Sequence, residues 1–315
     1  MLRAINIVTS CAGRKRREGG EPVRMRDATG PSLHERHRQW QRLLAQSGPR
    51  VPAGDLYAGE HWSVARRLPE VARQSRFSPR LWVCSAGYGL IESSTAVRSY
   101  GATFRAHDPD SVLLPDTTWS AYDWWELCNQ GRTPQGIAGL AEEHPRTPLV
   151  VALSGCYLDA VQPDLLNARA CLADPDLLVL VSVGSSRVEP PLDQHVVPGA
   201  AALRQLLGGT LGSLNIRMVE DAIRSSDAAE FSCSRVRQHF AAKLCSAPKL
   251  HLPERTPLSD SEVVHFIRSN EGSAKTHTSM LRVLRQSGFA CEQGRFRDLF
   301  LKAGARPAEH PRSPS

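Results

Sequence analysis

The chain has 315 residues, 41% of them hydrophobic and 23% charged, with a formal charge of +7. These values describe an ordinary globular protein, most simply one larger domain with a smaller appendage. They exclude a membrane-spanning chain, because no stretch approaches the roughly 20 apolar residues that cross a bilayer.

A single cation precedes the first apolar segment, which therefore reads as a strand rather than a signal peptide. A cytoplasmic protein without membrane contact is expected. The eight cysteines are scattered, with no CxxC pair and no metal-ligand spacing. Reduced, mostly buried thiols follow, with no metal and no cofactor. Charge is segregated. Residues 1–80 carry 16 Lys and Arg against 7 Asp and Glu, residues 81–234 carry 9 against 18, and residues 235–306 carry 13 against 6. Two basic ends flank an acidic middle, which points to a nucleic acid touched by both ends, DNA before RNA. A basic loop and a cationic solvated helix would leave the same trace.

Along the chain, the first element is an apolar run, Ala4–Val8, ending in the small turn Thr9-Ser10-Cys11-Ala12-Gly13 and four cations, Arg14 to Arg17. Residues 14–52 read as a basic insertion or loop holding a helix from Leu33 to Gln46. "AGDLYAG" (53–59) then places Asp55 and Tyr57 between glycines, ahead of a helix over Glu60–Gln74 that Pro69 should kink or end. "LWVC" (81–84) is a second buried strand, followed by the turn "SAGYGL" (85–90) and by "YGATFRAHDPD", with Tyr100, His107 and Asp108. A helix follows Pro115-Asp116, with Thr117 or Thr118 as N-cap and Gly131 as stop. Its adjacent Trp124 and Trp125 would be an interface if the protein were a scaffold. "LVVAL" (149–153), the turn "LSGCY" (153–157), a helix after Gly155 and "LLVLVSV" (177–183) complete the pattern. Unbroken apolar runs alternating with helices predict an α/β domain over residues 1–195, a three-layer sandwich with a mostly parallel sheet.

Beyond it, residues 196–244 read as a helical extension, with stretches at Ala201–Leu207 and from Gly212. Residues 245–257 read as a proline-rich linker and 305–315 as a disordered tail. Residues 258–304 read as a small all-α module. "SDSE" has capping-box spacing, Ser259 with Glu262. Two short amphipathic helices around Ser287-Gly288 then fit a helix-turn-helix arrangement. Arg282, Arg285, Gln293, Arg295 and Arg297 are its expected nucleic-acid contacts. A plain helical hairpin is the other reading of the same spacing.

Three small-residue turns after strands form a moderately informative set. Carboxyl ends of strands make the ligand crevice of an open α/β sheet, and small residues let a ligand approach backbone amides. None matches GxxxxGK[ST] or GxGxxG, which removes the ordinary P-loop and dinucleotide readings. The expected phosphate or nucleotide-like ligand contacts are Ser10, Cys11, Gly13, Arg14, Lys15, Ser85, Gly87, Tyr88 and Gly155. Tyr57 or Tyr88 would stack a base, and Asp55 would act as general base or sugar contact, with Tyr57 as its catalytic partner. Asp55 as a helix cap and Cys11 as a buried thiol are the plainer alternatives.

The succession TSC-x-GRK, D-L-Y, CSAGYGLI, a downstream tyrosine and LSG-x-Y resembles the domain-of-unknown-function 6884 family, over about residues 4–185. Family members show a strand ending in Cys with Gly and Lys, an "A-x-DLY" element, "LSAKYGLL", a "P-Y-D" segment and a later Ala-Gly-x-x-Tyr. The resemblance implies a three-layer α/β domain, loosely similar to uracil-DNA-glycosylase-like folds, and no established activity. It also implies a phage or mobile-element setting, sometimes beside deazaguanine nucleic-acid modification. The chain departs from the pattern at Gly87, where the family favours Lys, at Ser99-Tyr100-Gly101 in place of "P-Y-D", and in the insertion after Arg14. The functional expectation is a nucleic-acid- or nucleotide-directed protein that cleaves or exchanges an N-glycosidic bond. Its alternative is a non-catalytic DNA-binding regulator or a defence accessory subunit.

Overall fold

The computed structural model describes residues 2–115, 118–183, 188–248, 255–274 and 276–304. The chain forms two compact units, residues 1–249 and 250–315.

The first unit is mixed α/β around a five-stranded sheet. Its strands are β1 (Arg3–Ser10), β2 (Phe77–Ser85), β3 (Gly89–Glu92), β4 (Leu149–Ala152) and β5 (Leu178–Val181), in the order β3-β2-β1-β4-β5. The four expected strands are β1, β2, β4 and β5, and all run parallel. The fifth, β3, folds back antiparallel on β2. In β1 every residue from Ile5 to Ser10 is buried, so both faces of the central strand are covered. Its polar members are satisfied: Asn6 accepts from Trp82 Nε1 at 3.2 Å, and Thr9 Oγ1 reaches the Ala152 carbonyl at 3.3 Å.

The helices of this unit are α1 (Leu33–Ala45), α2 (Glu60–Ala65), α3 (Leu68–Gln74), α4 (Ala121–Asn129), α5 (Gly136–Glu143), α6 (Gly155–Cys171), α7 (Leu211–Ser225) and α8 (Cys233–Ser246). The expected break at Pro69 separates α2 from α3, with the proline in the first turn of α3. Helix α4 is capped by Ser120 in a capping box with Asp123. Thr118 therefore does not cap it, and Asp116-Thr117 lie outside the described residues.

Three sequence expectations are corrected by packing. The 14–52 segment holds the expected helix as α1 but is packed into the domain rather than a basic loop. Arg36, Trp40 and Leu44 share one face of α1 at four-residue spacing and are buried, and Trp40 Nε1 donates to the Gly87 carbonyl at 2.8 Å. Residues 196–244 are helical as expected but do not extend beyond a domain ending at 195, because Leu214, Met218, Ile223, Val236 and Phe240 belong to the same hydrophobic core as the sheet. Trp124 and Trp125 are not an interface. Both are fully buried, donating to the Ala86 carbonyl and to Asp164 Oδ2, each at 2.8 Å.

The second unit holds α9 (Asp260–Ser269), α10 (His277–Gln286) and α11 (Gln293–Lys302). They enclose Val263, Ile267, Met280, Leu284, Phe296 and Phe300. The Ser259–Glu262 capping box forms as its spacing predicts. The short strands Thr256–Pro257 and Phe289–Ala290 pair in parallel. Residues 249–254 of the expected linker and the tail 305–315 lie outside the described residues. No described helix is long and apolar enough to cross a membrane.

Candidate anion-binding cleft

From β1 the chain proceeds to β2 on one side, whereas β4 and β5 lie on the other. The carboxyl ends of β1 and β4 therefore flank the point at which the strand order reverses, where open α/β sheets place ligands. Cys11 and Gly13 leave β1 there, and Ser154, Cys156 and Tyr157 open α6 after β4. Together they line a cavity of about 360 Å³. Cys11 Sγ and Tyr157 Oη lie 3.0 Å apart on its wall. Burial drives the Tyr157 pKa well above the ordinary phenol value, so the phenol keeps its proton at neutral pH.

Lys15 is fixed by backbone pairing rather than left in solvent. It bridges antiparallel to Tyr57, with Arg16 N donating to the Leu56 carbonyl (2.8 Å) and Ala58 N to the Arg14 carbonyl (2.9 Å). Its Nζ donates to the Ala12 carbonyl at 2.6 Å and lies 4.4 Å from the centre of the Tyr100 ring and 5.4 Å from that of Tyr57. Burial lowers the Lys15 pKa and Arg24 adds to this, while Cys11 and Asp110 oppose it. Beneath the lysine, Tyr100 Oη lies 2.8 Å from Tyr57 Oη and 2.6 Å from Ser85 Oγ. Ser85 Oγ also accepts from Gly87 N and Tyr88 N. The segments that carry the sequence motifs thus meet in one place.

On its other side Lys15 lines a second cavity, of about 570 Å³. Four cations surround it, Lys15, Arg16, Arg17 and Arg24, against one carboxylate, Glu21. Arg24 arrives because Val23–Arg24 pairs in parallel with Tyr100–Gly101. It is held by Asp110 (3.1 Å), which also binds Arg26 (2.8 Å). Burial would raise the Asp110 pKa, but the bonds from Arg26 and Arg24 outweigh it and leave the carboxyl below its ordinary value. Gly101 is needed here. A Cβ at that position would sit 2.8 Å from Asp110 Oδ2 and 3.0 Å from Arg24 Nη1.

Of the expected ligand residues, Cys11, Gly13 and Lys15 line the cleft. The others are placed differently. Arg14 is exposed and lines neither cavity, because its carbonyl is tied to Ala58 while its side chain points outward. Ser10 is buried, with its carbonyl taken by Trp62 Nε1. Gly155 starts α6 but does not line the cavity that its neighbours Ser154 and Cys156 reach. Ser85, Gly87 and Tyr88 build the hairpin turn and line neither cavity. A Cβ on Gly87 would lie 2.7 Å from the Tyr100 ring and 3.1 Å from Trp40, which leaves no room for the lysine that the family pattern favours. Tyr57 and Tyr88 are buried, Tyr57 completely, so neither ring offers a face for a base. Asp55 is exposed and lines neither cavity, which separates it from Lys15. The expected Asp55–Tyr57 pair is therefore not assembled at the cleft.

Sequence reading missed Arg24, Arg105 and Asp110. Arg24 sits in a stretch taken for a loop, and only the pairing with Tyr100–Gly101 brings it to the cleft. Among the expected nucleic-acid contacts of the second unit, Arg295 binds Asp260 at 2.6 Å and the Leu258 carbonyl at 2.9 Å. Arg285 donates to the Cys291 carbonyl at 3.4 Å, and Arg297 binds its neighbour Asp298 at 3.1 Å. Arg282 and Gln293 are exposed. Arg295 is thus an internal strap between α11 and the start of α9 rather than a free reading side chain.

Comparison with protein-family models, curated proteins and solved structures finds no match.

Proposed function

We propose that this chain is a nucleotide- or nucleic-acid-directed binding protein of three-layer α/β architecture, related to the domain-of-unknown-function 6884 family. Its cleft takes a phosphate-bearing ligand. The observation that carries this reading is the cavity bounded by Lys15, Arg16, Arg17 and Arg24, with Glu21 its one carboxylate. Clustered cations attract a phosphate, and Lys15 and Arg24 also line the neighbouring cavity at the strand-order reversal. The second unit, read as helix-turn-helix-like, adds duplex contacts through Arg282 and Gln293, and DNA is preferred to RNA.

Binding is favoured over N-glycosidic chemistry because Asp55 and Tyr57, the residues expected to perform it, do not face the cleft. The test is salt-titrated binding of the full chain to duplex and single-stranded DNA and RNA. Tight binding with a steep salt dependence is expected, and Arg17→Ala should lower the slope by about one. Absent or salt-insensitive binding overturns the proposal. Release of free bases during incubation, detected by mass spectrometry, would overturn the non-catalytic part alone.

A further inference from the structure

Lys15 and Arg24 stand between two cavities of different character. The larger has four cations against one carboxylate. The smaller shares Lys15 and Arg24 and adds Arg105, but two carboxylates, Asp108 and Asp110, face these three cations. Asp110 is already engaged by Arg24 and Arg26 and stays ionised at neutral pH. The Tyr157 phenol, Thr103 and Ser154 supply neutral polar groups. Asp108 is half-buried, and its Oδ1 accepts only one described hydrogen bond, from Asp110 N at 2.9 Å. This leaves acceptor capacity facing the cavity.

A phosphate suits the first cavity and not the second, where it would meet two carboxylates. A group rich in O–H and N–H donors suits the second, and about 360 Å³ lies within the range of small-ligand pockets. Resting on the phosphate reading above, we infer that the cleft recognises a nucleoside monophosphate unit. The phosphate lies among Lys15, Arg16, Arg17 and Arg24, and the sugar–base portion lies against Asp108, Thr103 and Tyr157. Lys15 marks the junction. A second phosphate beyond the sugar is disfavoured, so the unit is a free mononucleotide or the end of a strand, never its interior.

Calorimetric titration of the full chain with inorganic phosphate, nucleoside monophosphates and nucleoside 3′,5′-bisphosphates tests this. A monophosphate should bind at least about tenfold more tightly than inorganic phosphate, and the bisphosphate no more tightly than the monophosphate. Asp108→Asn should erase the monophosphate's advantage and leave inorganic phosphate binding unchanged, which also shows that the variant is folded. Arg17→Ala should weaken phosphate and monophosphate alike. A terminally phosphorylated single-stranded oligonucleotide separates the two sources. Binding like the mononucleotide identifies a strand end, and loss of binding identifies the free ligand; either supports the inference. A bisphosphate that binds tenfold more tightly than the monophosphate overturns it. So does a monophosphate no better than phosphate while phosphate still binds and Arg17→Ala still weakens it, and in that case the phosphate reading survives. If neither phosphate nor nucleotide binds, both fall together.

Discussion

The two basic ends of the chain put their cations to different uses. At the amino-terminal end, Lys15, Arg16, Arg17 and Arg24 line an open cavity with Glu21 the one carboxylate among them, and backbone pairing to residues 56–58 and 100–101 holds them there. At the carboxyl-terminal end, Arg295, Arg297 and Arg285 are occupied by Asp260, Asp298 and the Cys291 carbonyl. An excess of positive charge in sequence therefore says little about where the charge is available. What decides it is whether acidic or carbonyl partners lie within reach once the chain is folded. The first end is a site formed by long-range contacts, while the second is a small helical unit whose cations partly serve its own packing.

The largest effect expected from this comparison concerns Trp40. If the amino-terminal cations are positioned by the core, removing the core anchor of α1 should disturb both stability and binding. Trp40 is fully buried, and its Nε1 satisfies the Gly87 carbonyl. Trp40→Ala should cost about 3–5 kcal/mol through the cavity it leaves, with a further penalty for the orphaned carbonyl. Urea unfolding measures the first loss, and phosphate affinity the loss of the cleft. A variant that is unfolded less than about 1 kcal/mol more easily would restore the picture of residues 14–52 as an independent loop.

Much of the first unit was legible because its signal is local. Leu149–Ala152 and Leu178–Val181 are uninterrupted apolar runs, Ile5–Val8 is broken only by Asn6, and a strand covered on both faces needs little else to be recognised. Strand β3 escaped because Gly89–Glu92 directly follows the turn that ends β2, and its glycine-rich beginning reads as loop. The cleft was half legible. Cys11, Gly13 and Lys15 are adjacent to a strand end, and adjacency is visible in sequence. Arg24 and Arg105 reach the same place only through pairing with and around Tyr100–Gly101, a contact that no local pattern encodes. Tyr57 misled for a related reason. Flanking glycines give the look of an exposed loop, whereas the ring lies under Lys15 and against Trp62, 4.5 Å between ring centres.

A second way to sharpen the contrast uses His61, whose Nε2 lies 2.7 Å from Thr9 Oγ1 on the central strand. Burial lowers its pKa from 6.5 to about 4, although a backbone hydrogen bond with Gly212 opposes the shift. The unfolded chain takes up this proton near pH 6.5, while the folded chain waits until about 4. Stability should therefore fall as the pH drops from 6.5 to 4 and gain no further slope from this group below that. The whole interval is worth on the order of 3 kcal/mol. All six tryptophans lie in the first unit, so tryptophan fluorescence follows its unfolding alone. Urea midpoints read this way should decline across the interval in the wild type and less steeply in His61→Gln. An equal decline in both proteins would mean that His61 does not titrate differently on folding.

The smallest effect separates the cations of the second unit from one another. Arg295 and Asp260 keep 40% and 67% of their side-chain surface exposed, and ion pairs this open contribute little to stability. Arg295→Ala should therefore leave the thermal midpoint nearly unchanged. It should also leave the salt slope of DNA binding intact, because the guanidinium is already taken by Asp260 and the Leu258 carbonyl. Arg282 is exposed on α10, and Arg282→Ala should lower that slope by about one. Equal losses from the two substitutions would show that Arg295 gives up Asp260 for a phosphate in the complex. The carboxyl-terminal cations would then be as available as those around Lys15, and the distinction between the two ends would rest on packing alone.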